Sequence, residues 1–157
     1  MPIYQFVDDF EKPDLGWFLT PGAGFDYGKG LADVGQGNAW VRNTSGWNAI
    51  NHFFTLQPNT TSIAVQASLR LSDNLTDGYF SARAAAELNG EGTILKEIKL
   101  VGPGPAGPHG NGYSKFEFEF DVPPGLTNVL VYVGLWGVGP DAWIQVDDFG
   151  FQGTYDS

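Results

Sequence analysis

The sequence predicts an all-β fold, a two-sheet antiparallel β-sandwich, and three observations predict it. First, three segments alternate apolar and polar residues with period two. Ile63, Val65, Ala67, Leu69 and Leu71 alternate with Ala64, Gln66, Ser68 and Arg70; Phe116, Phe118 and Phe120 with Lys115, Glu117 and Glu119; Val129, Val131, Val133 and Leu135 with Leu130, Tyr132, Gly134 and Trp136. That period marks strands with one buried face. Second, 22 Gly and 10 Pro supply frequent tight turns. Third, no segment carries a convincing helical period. The one weak helical candidate is Ala82–Leu88, and its alanines fit a crowded strand face equally well.

The elements follow in order between turn signals. A strand over 3–7 ends before Lys12-Pro13-Asp14, and a second over 16–20 ends at Pro21-Gly22. Strands over 39–43 and 47–56 precede the turn Gln57-Pro58-Asn59, and the alternating segment 63–71 runs into Ser72-Asp73-Asn74. Strands over 78–86 and 94–101 flank Asn89-Gly90. Residues 102–112 are too rich in Gly and Pro for regular structure and read as a surface loop. Strands over 115–120 and 129–136 are separated by Pro123-Pro124-Gly125, and 142–152 closes the chain. About ten strands without helices build a sandwich, and the absence of a fixed repeat argues against a propeller or solenoid.

Composition restricts the partners. A chain of 157 residues reads as one domain, 1–157. Eight Lys+Arg against 18 Asp+Glu give a formal charge of -10, which argues against nucleic acid and anionic membrane and is compatible with neutral ligands and cations. No run of about 18 apolar residues spans a membrane. Zero cysteines exclude disulfides, thiolate chemistry and Cys-based zinc sites and leave the compartment open. Met1-Pro2 leading straight into a strand, with no visible signal peptide, reads as an excised domain or an engineered start.

Two segments place adjacent carboxylates inside apolar runs: Phe6-Val7-Asp8-Asp9-Phe10-Glu11 and Trp143-Ile144-Gln145-Val146-Asp147-Asp148-Phe149. Burying an unpaired carboxylate costs several kcal/mol, and basic residues are scarce. A hard cation where the first and last strands meet would account for both segments.

Several motifs carry a family resemblance. Asp9-Phe10-Glu11, Gly16-Trp17, and Gly37-Asn38-Ala39 before Trp40 resemble the start of a jelly-roll carbohydrate-binding module. Leu56-Gln57-Pro58-Asn59-Thr60-Thr61 resembles that group's entry into a central strand, and Trp143–Phe149 its closing strand. The similarity is to the galactose-binding-like superfamily, nearest to carbohydrate-binding families four, six and twenty-two, and covers nearly the whole chain. The loop 102–112 departs from the common pattern and is expected to reshape a cleft. The resemblance implies a structural calcium held by Asp9, Glu11 and Asp147, with the backbone oxygen of Lys29 among the remaining ligands. Asp147 is preferred to Asp148 because it follows Val146 as the family's carboxylate follows its apolar residue.

A sugar site needs aromatic planes ringed by amides and charged groups. The outward residues of three strands offer these: Gln66, Ser68 and Arg70; Tyr79, Ser81 and Arg83; Tyr132 and Trp136, with Gly134 leaving a gap for a ring. Trp47 and Trp17 offer an alternative rim site. Catalytic signals are thin: His52 sits among aromatics, His109 lies in the Gly/Pro loop, and Glu117 and Glu119 read as a solvent face. The expected function is a non-catalytic module, secreted and linked to a catalytic domain, that binds a plant or microbial polysaccharide. The alternatives are a structural or adhesive domain of a surface protein, or a small lyase or hydrolase using His52 with Tyr132 and Arg83.

Overall fold

A computed structural model describes residues 2–12, 16–42, 46–85, 92–104, 112–137 and 141–156. The regular elements among them are eleven strands: β1 (Ile3–Asp8), β2 (Phe18–Leu19), β3 (Ala23–Tyr27), β4 (Gly37–Arg42), β5 (Gly46–Thr55), β6 (Thr60–Leu71), β7 (Gly78–Ala84), β8 (Ile94–Leu100), β9 (Ser114–Asp121), β10 (Asn128–Gly137) and β11 (Trp143–Tyr155). They form two antiparallel sheets. The first runs β3-β4-β11-β6-β9 with β1 also on β11, and the second runs β2-β5-β10-β7-β8.

Alternation dictates what each sheet buries. Ile63, Val65, Ala67 and Leu69 of β6 and Ile144 and Val146 of β11 meet Val129, Val131, Val133 and Leu135 of β10, all at 1% exposure or less. Fully burying a side chain of this size contributes about 1.5–3 kcal/mol. Aromatic pairs close the core, among them Phe54 stacked on Phe151 at 4.0 Å and Phe80 edge-on to Phe118 at 4.9 Å.

β11 is unusually long, with 13 residues. Its first part pairs with β4 through Trp143–Val146, and its second part pairs with β1 through Phe149–Thr154. Two short strands therefore share one edge of it. The join is a bulge between Asp147 and Gly150, where Asp148 adopts φ 46°. A bulge bends its strand and re-aims side chains. This explains how two carboxylates interrupt an apolar strand.

The structure corrects two strand assignments and fixes where the first strand ends. β3 has no counterpart in the sequence reading; Gly24 and Asp26 weaken its pattern, and Gly24 is there because a Cβ would lie 2.6 Å from the Trp40 indole. The expected strand over 16–20 shrinks to Phe18–Leu19. β1 stops at Asp8, because Phe10 has φ 58°; Asp9 and Glu11 therefore do not share a strand face. Of the 82–88 segment, residues 82–84 belong to β7 and 86–88 lie outside the described residues, as do 105–111 of the long loop.

Candidate functional site

The outer face of the second sheet gathers aromatic and polar side chains in cross-strand rows. Asn51, Tyr132, Ser81 and Glu97 form one row across β5, β10, β7 and β8. Ala49, Gly134, Tyr79 and Lys99 form the next, and Trp47 lies opposite Trp136 beyond it. Opposed side chains in antiparallel strands sit close enough to make one surface.

The result is a cleft of about 450 Å³ walled by Trp47, Trp136, Tyr79 and Tyr132, with Arg83 and Glu97 at the polar side. Trp47 is its hub. Its ring centroid lies 5.4 Å from Trp136, 6.2 Å from Tyr79, and 5.5 Å from Tyr132 at 84°. Gly134 does not leave an empty slot as expected: a Cβ there would fall 2.5 Å from Trp47 Cζ2, so the indole itself occupies that space. Tyr132 is only 5% exposed and forms the floor, whereas Trp136 is 48% exposed. Arg83 fixes the floor by donating from Nε to the Tyr132 hydroxyl at 3.2 Å, with its guanidinium 5.6 Å over the ring. The Tyr79 hydroxyl donates to Asp77, which pushes its pKa up to about 12, and Lys99 sits 5.9 Å over its ring. Ser81 bonds Glu97 at 3.3 Å. Two indoles, two phenols, a guanidinium, an amide and a carboxylate can stack on a ring face and bond its hydroxyls.

Five of the seven sequence-predicted binding residues converge here: Trp47, Tyr79, Arg83, Tyr132 and Trp136. Gln66 and Arg70 do not. They lie on β6 in the first sheet, on the opposite outer face. Alternation shows that a residue faces away from the core; it cannot say which of two outer faces it joins. Trp47 belongs to the sheet face rather than to a loop rim. Trp17 is buried, 5% exposed, and donates to Asp8 at 2.7 Å. The sequence reading missed Asn51 and Glu97. Asn51 is visible as the outward neighbour of His52, but Glu97 sits on an irregularly patterned strand.

The sheet separates His52 from Tyr132 and Arg83. His52 stacks on Phe54 at 4.3 Å and lies 4.5 Å from Phe6, on the core side of β5, and its Nδ1 lies 3.2 Å from the Phe53 carbonyl. Tyr132 and Arg83 are on the other side of the sheet. Glu117 and Glu119 are outward on β9, with Glu117 3.3 Å from Lys115. His109 lies outside the described residues.

The acidic seam is a network of carboxylates holding backbone N–H groups. Asp147, fully buried, accepts from Asp33 and Val34 at 2.9 and 3.0 Å and from Asp148 at 2.8 Å. Glu11 accepts from Gln36 at 2.8 Å and from Gly37. Asp8 accepts from Phe10 and Trp17, and burial still pushes its pKa up. The segment 33–37 is thus pinned over the first sheet from two sides. Tyr113 adds a bond to the Leu31 carbonyl at 2.6 Å.

The fit to a cation is read from donor chemistry. Despite three N–H partners, desolvation pushes the pKa of Asp147 up to about 7, so its charge is incompletely compensated. One step beyond the Ala39–Val146 pair, on the same outward parity, Asn38 keeps its Oδ1 buried without a hydrogen-bond donor. A buried carboxylate and an unsatisfied amide oxygen suit a hard cation. Asp9 does not join them: it is exposed and caps the Glu11 N–H at 3.1 Å. Lys29 lies between two glycines of positive φ, and its ammonium is 4.0 Å from Asp26. No group of three or more His, Cys, Asp or Glu forms a ready-made site among the described residues.

No protein-family model matches the sequence, and no curated protein does. Solved structures do resemble the fold. The K1 cleaved adhesin domain of Lys-gingipain from Porphyromonas gingivalis W83 superposes with a TM-score of 0.65 at 13% identity, over 98% of this chain and 99% of that one. The CBM22-1 xylan-binding domain of Paenibacillus barcinonensis Xyn10C gives 0.63 at 14%, over 97% and 95%. TmCBM61, solved in complex with β-1,4-galactotriose, gives 0.55 at 11%, over 89% and 88%. At these identities the likeness is one of architecture: the chain has the jelly-roll β-sandwich fold found in carbohydrate-binding modules.

Proposed function

We propose that this protein is a non-catalytic carbohydrate-binding module that takes a polysaccharide chain along the outer face of its second sheet. The observation that carries the reading is the Trp47–Trp136–Tyr79–Tyr132 cluster beside Arg83 and Glu97. Hydrophobic burial alone would place such rings inside the sandwich, yet Trp47, Tyr79 and Trp136 stand over the Tyr132 floor in an outward-facing cleft edged by hydrogen-bonding groups. The structural neighbours named for xylan and galactotriose support the ligand class. Shallow stacking sites give dissociation constants from micromolar to millimolar, about 4 to 8 kcal/mol. The module's work is extracellular tethering: it holds a covalently linked catalytic domain near its substrate and raises the local concentration.

A structural calcium at the acidic seam is the second part of the proposal. Asp147 and Glu11 would hold it, with the Asn38 amide oxygen and the Lys29 backbone, and the ion would supply the positive charge that the buried carboxylate lacks.

A second reading, an adhesive domain of a surface protein, is favoured by the likeness to the gingipain adhesin domain. Affinity electrophoresis against soluble xylan, glucan, mannan, galactan and pectin separates the two. Retardation by a polysaccharide, lost in Trp136→Ala, supports the module. Unchanged mobility on the whole panel favours the adhesin. Appearance of reducing ends or unsaturated products would overturn the non-catalytic assignment.

A further inference from the structure

Five tryptophans are present, and only Trp17 enters the core. Trp47 and Trp136 stand on the second sheet. The remaining two, Trp40 and Trp143, stand on the outer face of the first sheet, where they line a separate cleft of about 410 Å³ with Asp26, Lys29, Arg42 and Gln145.

This cleft is built, not incidental. Gly24, Trp40, Gln145 and Arg70 form one continuous row across β3, β4, β11 and β6. Gly24 leaves room for the Trp40 indole to lie against β3. Arg70 places its guanidinium 5.3 Å over the Trp143 ring and donates to Gln145 Oε1 at 3.3 Å. Arg42, directly opposite Trp143, is 3.5 Å from Asp141, both side chains more than half exposed. Such a solvent-exposed pair is weak, so its guanidinium exchanges readily onto a ligand oxygen. The parts repeat those of the first cleft: two indoles, a guanidinium stacked over an aromatic ring, an amide and a carboxylate. The two clefts lie on opposite sides of the sandwich.

We infer that the Trp40–Trp143 cleft is a second saccharide-binding site. The module is thereby bivalent, able to bridge two polysaccharide chains across its thickness. The ligand class rests on the sugar-binding reading of the first cleft; the site itself rests on the independent row Gly24–Trp40–Gln145–Arg70. The shared chemistry is a pyranose face on an indole with hydroxyl or carboxylate oxygens on the guanidinium groups, which neutral and uronate sugars both offer.

Indole N–H resonances of the intact protein test this directly, assigned through single Trp→Phe variants. The protein is titrated with hexasaccharides of β-1,4-xylose, β-1,4-glucose, β-1,4-galactose and α-1,4-galacturonate. The expected result is that at least one of them shifts the Trp40 and Trp143 resonances as well as those of Trp47 and Trp136. The Trp40 and Trp143 shifts persist in Trp136→Ala and fall at least fivefold in Arg42→Ala, an exposed position whose fold is checked by its melting curve. Response only to galacturonate assigns a uronate ligand; response to the neutral sugars assigns a neutral one. Shifts at Trp47 and Trp136 alone, at saturation, overturn the second site and leave the first intact. Shifts at Trp40 and Trp143 alone overturn the first and leave the second. No shift from any hexasaccharide overturns both.

Discussion

Replacing Trp136 by Ala isolates the stacking contribution of the proposed sugar cleft. The ring is 48% exposed. On an aromatic side chain of roughly 200 Å² that leaves about 100 Å² free, of which a pyranose face would cover ~50–80 Å². At about 25 cal/mol per Å² the contact is worth about 1.3–2 kcal/mol, a loss of roughly ten- to thirtyfold in Kd on truncation. The fold should be nearly indifferent, because the exposed ring packs on Trp47 alone among the described aromatic pairs, and changes away from the core stay within about 0.5 kcal/mol. Titration calorimetry and a melting curve on the same sample provide both readings. Tyr132 needs a different treatment. At 5% exposure it is part of the floor, so Tyr132→Phe is the informative change: it removes the hydroxyl that anchors Arg83 and keeps the packing. Phe118→Ala is the stability control, expected to cost about 3–5 kcal/mol as a core deletion with binding intact in the folded fraction. Unchanged Kd in Trp136→Ala, with normal melting, would refute the stacking argument; loss of folding would refute the assignment of that ring to the surface.

Calcium should raise the melting temperature and chelator should lower it, by mass action on the folded state, with the difference abolished in Asp147→Asn; identical curves in calcium and chelator remove the cation from the proposal. Without a bound cation, burial pushes the Asp147 carboxyl up to about 7 from an ordinary 3.8, and burial shifts Asp8 in the same direction. Between about pH 4 and 7 the folded state therefore binds protons that the unfolded chain has released, and stability rises as pH falls. Melting should accordingly be higher at pH 5 than at pH 7.5, with a smaller slope in Asp147→Asn; the reverse order contradicts the burial argument. Gly134→Ala places a methyl 2.5 Å from Trp47 Cζ2, so it should displace that indole and weaken polysaccharide binding at least fivefold, seen as altered tryptophan emission; normal affinity would show that Trp47 is not the hub.

The sequence alone determined the class of fold and the inward or outward sense of the residues in the three alternating segments. Ile63, Val65, Ala67, Leu69 and Leu71 and likewise Val129, Val131, Val133 and Leu135 point into the core as their alternation requires, because a polar residue buried there without a partner costs about 1–3 kcal/mol. It also exposed the acidic interruptions near both ends. Tertiary structure decided the rest. Two sheets give two outward faces, and period two is blind to which one a strand joins, so Gln66 and Arg70 parted from Tyr79, Arg83, Tyr132 and Trp136. The bulge at Asp147–Gly150 lies where β11 pairs with the distant β6, and the left-handed Phe10 follows the end of β1; neither is encoded in a local pattern. They turned Asp9 to solvent while burying Asp147. Trp40 and Trp143 became neighbours only when β4 met β11, a pairing between residues more than 100 positions apart (Trp143 with Arg42, Val146 with Ala39) that no local pattern encodes.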